Sequence, residues 1–190
     1  MSDPDIKPDR RAVLAGAIVA AGLGPVSALA APGKIRAPRV TLSLKQLPKP
    51  LPKPYDEKAT PAQVAAAIDG ALARAGRLNR RVIVDLGGNW CSWCRMLAAV
   101  MELPTVKPFV EDNFELVMIN FAGDKPLGKQ NQEALKRLSM ADLDGVPWLV
   151  VMEPNGKILA SSYEVTDEDH ETPQLMIDWI AQWALRPPRA

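Results

Sequence analysis

Two cysteines, one histidine and a net charge of only +1 are spread over 190 residues, and each scarcity closes a class of function. Cys91 and Cys94 stand three positions apart, so they cannot staple distant parts of a fold; the pair is read as chemical rather than structural. A tetrahedral zinc site needs about four ligands, which two cysteines and a distant His170 do not supply. Covalent haem attachment needs His directly after the second cysteine, where this chain has Arg95. The near-zero charge provides no global field, so no nucleic-acid partner is expected and partner choice must come from local surface. Beyond residue 31 no run approaches the ~20 apolar residues that span a bilayer, and the mature protein is expected not to be membrane-spanning.

What is present is the balance of a soluble globular protein, 47% hydrophobic and 24% charged, with proline conspicuous at 18 residues, much of it before residue 62. The length suits one domain with appendages. Residues 12–31 form an Ala/Gly/Val/Leu-rich run, preceded by Arg10-Arg11 and closed by Ala28-Leu29-Ala30, a small-x-small cleavage pattern. Residues 1–30 are therefore read as a signal peptide. The stretch Asp9 to Leu14 resembles a twin-arginine export signal, departing from it at Asp9, Val13 and Ala15, and that route is slightly preferred to general secretion. An uncleaved anchor is disfavoured by Gly22, Gly24, Pro25 and Ser27. The expected destination is the periplasm, where disulfides persist.

From residue 31 to 57 proline and basic residues dominate, including Leu47-Pro48-Lys49-Pro50-Leu51-Pro52-Lys53-Pro54. Alternating proline keeps a chain extended and removes donors, so the segment is read as a semi-rigid tether with polyproline character; a ligand for a proline-recognising domain is the alternative. A domain is expected over 58–190. Thr60-Pro61 caps a helix carrying Val64, Ala67, Ile68, Ala71 and Leu72, ending near Gly76. Arg81 to Leu86 predicts a buried strand stopped by Gly87-Gly88. Cys94, Leu97, Ala98 and Met101 then form the apolar stripe of a helix that Pro104 stops. A helical piece at Val106–Val110 leads to a strand over Phe114–Phe121. A loop with Gly123, Pro126 and Gly128 precedes a helix over Gln130–Met140. Val146–Met152 and Lys157–Ser162 predict a hairpin about Asn155-Gly156. Thr172-Pro173 opens a last helix with Leu175, Met176, Trp179, Ile180 and Trp183 on one face, ended by Pro187-Pro188. The order α-β-α-β-α-β-β-α predicts an α/β fold.

The chemistry lies in Cys91-Ser92-Trp93-Cys94. Two cysteines separated by two residues can close a disulfide within one turn. At a helix start the first sulfur faces unpaired N–H groups and the dipole, which favour the thiolate that alone attacks a disulfide. Cys91 is thus the expected nucleophile, and Cys94, one turn in, the resolving thiol. Asp85 lies on an otherwise apolar strand, where burial would raise its pKa and let it take the Cys94 proton; a hydrogen-bonded strand-end carboxylate is the bland reading. Two soft thiolates could also hold Cu(I), so a copper-handling or partner-binding module without turnover stands as the alternative.

The run Val82 to Cys94, with an acid six positions before the first cysteine and Trp90 directly before it, resembles the active-site segment of thioredoxins. Gly145-Val146-Pro147-Trp148 followed by Asn155-Gly156-Lys157 resembles that family's cis-proline loop and terminal hairpin. The subgroup most similar is the exported thioredoxin-like proteins with a Gly-Asn-Trp-Cys-x-x-Cys segment. The resemblance implies a thioredoxin fold, a central mixed sheet flanked by helices with an N-terminal extension. It also implies thiol-disulfide oxidoreductase activity without a cofactor, protein thiol or disulfide substrates and a membrane redox partner. By the same resemblance Pro147 would be cis against the cysteines, and the Val146 backbone would pair with a substrate strand. Trp90, Trp93 and Trp148 are candidates for an aromatic rim that grips substrate, with packing equally open to Trp90. Where many thioredoxins place Lys near the buried acid, this chain has Met118, so Asp85 should be harder to ionise. Ser92-Trp93 offers no imidazolium, and a moderately reducing or intermediate potential is expected. Arg95 is read as a solvent-facing helix residue, with a role in raising the potential around Cys91 as the alternative, and His170 as a solvated loop residue.

Overall fold

A computed structural model describes residues 35–121, 131–140, 143, 145–163, 165 and 172–189, all within the compact unit Pro32–Ala190. The leader read at 1–30, the loop with Gly123, Pro126 and Gly128, and His170 lie outside the described residues.

The first helix, α1, spans Pro61–Leu78, with Thr60 and Gln63 forming a reciprocal capping box and Pro at its start. It passes Gly76, where the sequence suggested an end. It stops instead at Asn79, in the left-handed region at φ 50°, a conformation that Asn tolerates and that closes helices well. Strand β1 (Arg81–Gly87) follows, then α2 (Ser92–Met101), α3 (Lys107–Asn113), β2 (Phe114–Asn120), α4 (Gln132–Arg137), β3 (Trp148–Met152), β4 (Ile158–Ser162) and α5 (Pro173–Ala181). The helical piece at Val106–Val110 is thus a helix of its own, one more than the predicted order counted. The last helix ends before its prolines, because Gln182, Trp183 and Ala184 tighten into i→i−3 bonds. Leu175 stays exposed while Ile177 is buried, so α5 is rotated slightly from the expected face.

The strands order β2-β1-β3-β4, with β1 parallel to β2, antiparallel to β3, and β3–β4 a hairpin turned at Gly156, φ 86°. This is the mixed sheet flanked by helices that the sequence suggested. The period-2 alternation of a strand sends successive residues to opposite faces. Val82, Val84 and Leu86 join Val64, Ile68 and Leu135 from α1 and α4 in one core. Ile83 joins Leu97, Val100, Phe109, Met176 and Ile180 from α2, α3 and α5 in the other. Asp85 and Gly87 share the parity of Ile83.

Residues 35–57 depart from the tether expectation. They stay extended around one 3-10 turn, Leu44–Gln46, yet they strap the domain, with Val40, Leu47 and Tyr55 buried and Ile35, Ala37, Leu44 and Leu51 packed on the α2–α5 core. Gln174 holds one end, accepting from Val40 N at 2.7 Å and donating to Pro38 O at 3.2 Å. A proline-rich segment is stiff before it folds and so loses little entropy on docking. Its apolar residues then gain by burial what a free tether would leave in water.

Candidate active site

Strand β1 runs straight into the cysteines. Its last residue is Gly87, a turn follows in which Cys91 N donates to Gly88 O at 3.0 Å, and Cys91 becomes the N-cap of α2 in extended conformation. The Cys91 sulfur accepts from Cys94 N at 3.1 Å, so it occupies the place where helix N–H groups lack partners. Cys91 and Cys94 are joined as a disulfide. The two sulfurs are not equivalent: Cys91 keeps 7% exposure and Cys94 none. Across from them the Val146–Pro147 bond is cis, and Val146 O lies 3.7 Å from Cys91 Sγ.

Beneath the disulfide, Asp85 is completely buried, flanked in register by Met118 of β2 and Leu149 of β3. Tyr55 of the strap donates its hydroxyl to Asp85 Oδ2 at 2.9 Å, while Oδ1 has no hydrogen-bond partner. Burial raises the Asp85 pKa to about 7, partly offset by the Tyr55 hydrogen bond, which favours the ionised form. Burial, with the Asp85 charge adding to it, raises the Tyr55 phenol far above its ordinary range. Tyr55 therefore stays a donor.

The thioredoxin-like family matches residues 63–154, a span that holds the cysteines, Asp85 and Pro147. The fold is thioredoxin-like. The crystal structure of a disulphide isomerase from Xylella fastidiosa Temecula1 superposes with a TM-score of 0.58 at 25% identity, covering 70% of this chain and 97% of that chain. A DsbH oxidoreductase, at 21% identity and TM-score 0.38, covers 61% of this chain and 78% of its own. A thioredoxin from Thermus thermophilus, at 26% identity and TM-score 0.35, covers 50% and 69%. No curated protein matches the chain.

Around this thioredoxin-like centre the structure sorts the remaining candidates. Trp93 is half-buried and packs on the cluster of Tyr55, Cys91 and Cys94, together with Met118 and Val146. Trp90 is 54% exposed, lies over Gly88, where an added Cβ would come within 2.7 Å of its ring, and donates Nε1 to Phe121 O at 3.2 Å. Trp148 does not join them: it packs on the opposite core, against Tyr163 with ring centroids 5.5 Å apart, and donates to Ser161 Oγ at 2.9 Å.

Arg95 is corrected outright. It does not face solvent but donates to Pro52 O at 3.0 Å and Leu51 O at 2.8 Å, because the proline run leaves carbonyls free of strand or helix partners. Sequence reasoning also missed Asn89 and Tyr55. Asn89 accepts from Tyr55 N at 3.2 Å and donates to Tyr55 O at 2.8 Å. No periodicity or local motif announces a contact made across a separation of 30 residues. Among the described residues no cluster of three or more His, Cys, Asp or Glu is placed for a metal, and no helix is long and apolar enough to cross a membrane.

Proposed function

We propose that this protein is an exported thiol-disulfide oxidoreductase that exchanges disulfides with protein substrates through Cys91. The observation that carries the reading is the asymmetry of the cystine: the sulfur at the helix N-cap is the one with an exposed edge, and the buried one lies in the same strand-to-helix corner as a sealed carboxyl group. In the dithiol form, helix N–H donors favour the Cys91 thiolate. That thiolate attacks a substrate disulfide, forming the Cys91–substrate bond and releasing one substrate sulfur as thiolate. Cys94, giving up its proton to Asp85, attacks Cys91 Sγ; the intramolecular disulfide forms and the second substrate sulfur leaves. Two electrons pass from the protein dithiol to the substrate, and the reverse sequence oxidises a substrate dithiol. No cofactor takes part.

Trp90 and Trp93 give the substrate an apolar rim, and the Val146 backbone beside Cys91 offers an edge to an extended chain. The disulphide isomerase similarity supports protein substrates. The Arg10-Arg11 and apolar run read as a signal peptide over residues 1–30 supports a periplasmic location, and a membrane redox partner would reset the cystine. Because Ser92-Trp93 supplies no imidazolium between the sulfurs and the Arg95 guanidinium is taken up by the Leu51 and Pro52 carbonyls, the potential is intermediate to reducing. The test is a Cys94→Ser variant, which stalls the exchange at the mixed disulfide. Non-reducing gels of cells making it are expected to show DTT-sensitive adducts that vanish when Cys91 is also replaced by Ser. Adducts that persist without Cys91, or none in a protein that exchanges no disulfide in vitro, refute the reading; tight Cu(I) binding in that case would move it to the copper-handling class.

A further inference from the structure

The strap does more than cover apolar surface, because it delivers one hydroxyl into the buried half of the site. It is fastened on both sides of the cysteines. Asn89, two positions before Cys91, brackets the Tyr55 backbone with two hydrogen bonds and also donates to Glu57 Oε1 at 3.1 Å. Arg95, one position after Cys94, holds Leu51 and Pro52. Tyr55, 3% exposed, is thereby aimed at Asp85. Gly87 makes the approach possible. A Cβ there would lie 2.6 Å from the Tyr55 hydroxyl oxygen and 3.0 Å from Cys94 Sγ, so both groups converge over one bare Cα, two residues along the strand from Asp85.

We propose that Tyr55 is the positioning residue of the resolving step: by occupying Asp85 Oδ2, its hydroxyl leaves the unpartnered Oδ1 as the atom that exchanges a proton with Cys94 Sγ. The inference rests on the oxidoreductase reading above. As Cys94 Sγ attacks Cys91 Sγ, the Cys94 S–H proton passes to Oδ1, the carboxylate becomes a carboxylic acid, the Cys91–substrate S–S bond breaks and the substrate sulfur leaves as thiolate. A hydrogen bond donated to the ionised carboxylate favours that form, so the same hydroxyl keeps Asp85 able to accept a proton where its register neighbours, Met118 and Leu149, bring no cation. Asp85 is met by the Tyr55 hydroxyl from the strap and, in register, by Met118 from β2 and Leu149 from β3; Cys94 from α2 lies over Gly87, two residues along the strand. Of these, Tyr55 and Cys94 alone carry titratable protons.

Tyr55→Phe keeps the ring and removes the hydroxyl. Two readouts are taken on the full exported domain: the Asp85 carboxyl titration by 13C NMR in the disulfide form, and the pH profile of mixed-disulfide resolution by rapid mixing. Both midpoints are expected to rise by about one unit, with resolution near pH 7 slowed about fivefold. In an Asp85→Asn background the same change should slow resolution no further. If Tyr55→Phe does not fold, fluorinated tyrosine at position 55, a stronger donor of nearly the same shape, should move both midpoints down. Unmoved midpoints, whatever happens to the unfolding temperature, overturn the proposal, as does equal slowing in the Asp85→Asn background. A natural protein that forms no mixed disulfide at all takes down the oxidoreductase reading and the positioning role with it. One that turns over normally, with a Tyr55→Phe profile superimposable on its own, takes down the positioning role alone.

Discussion

On one face of β1, Val82, Val84 and Leu86 are wholly buried among aliphatic side chains of α1, α4 and the neighbouring strands. On the other, Ile83 is followed by Asp85, with one oxygen orphaned, and by Gly87, with no side chain at all beneath Cys94. The same seven residues therefore build a saturated core on one side and an unsaturated one on the other. An unpartnered buried carboxyl oxygen costs on the order of 1–3 kcal/mol, and a strand glycine forgoes packing. Such costs are tolerated here on the β1 face that also carries the cystine, and Val82, Val84 and Leu86 on the other face bear none of them. Stability and reactivity are thus separated by one residue of strand register.

The sharpest way to test that separation is to remove the charge from the reactive face. The folded state holds the Asp85 proton up to about pH 7, whereas the unfolded chain releases it near 4. Between those values the folded state binds more protons, so stability is full below about pH 4 and falls as pH rises through about 7, by up to roughly 4 kcal/mol. Asp85→Asn should flatten this slope, leaving the variant more stable than the natural protein at pH 8 although it resolves mixed disulfides slowly. Urea unfolding of the oxidised proteins at pH 5 and pH 8 measures it; parallel pH dependences would mean that Asp85 is not the group responsible.

The opposite face should answer differently. Leu86→Ala opens a cavity in the aliphatic core and should cost about 3 kcal/mol at every pH, with the exchange rate of the folded fraction unchanged. A pH-dependent loss, or a lost exchange activity in fully folded protein, would show that the two faces are coupled. The smallest expected effect comes from Gly87→Ala, whose methyl must push Tyr55 or Cys94 aside. It should cost about 1–3 kcal/mol and, unlike Leu86→Ala, should move the midpoint of the resolving step in the direction of Tyr55→Phe. A stability loss with an unmoved midpoint would confine Gly87 to packing.

The positions of α1, β1, α2 and the β3–β4 hairpin were legible because each rests on local chemistry: the Thr60 cap with Pro61, the β-branched run ended by glycines, the i, i+3, i+4 stripe from Cys94 to Met101, and Asn155-Gly156. The end of α1 was misplaced at Gly76 because Asn79 supplies the left-handed residue just as well. Cys91, Cys94, Asp85 and Pro147 could be singled out from short motifs, and the structure gathers them at one end of the sheet. Trp148 could not be placed, since strand alternation and pairing with Tyr163 turn it to the other face.

By itself the sequence determined the cysteine pair, its place at the start of a helix and the absence of a lysine opposite Asp85, because these follow from neighbours within a few residues or one strand of register. Only the tertiary structure decided that the proline-rich segment is a strap, that Arg95 and Asn89 fasten it, and that Tyr55 supplies the hydrogen bond Asp85 would otherwise lack. A stiff segment without donors has no internal partners of its own, so where it lies is set wholly by the apolar surface and the side-chain donors that the folded domain presents to it.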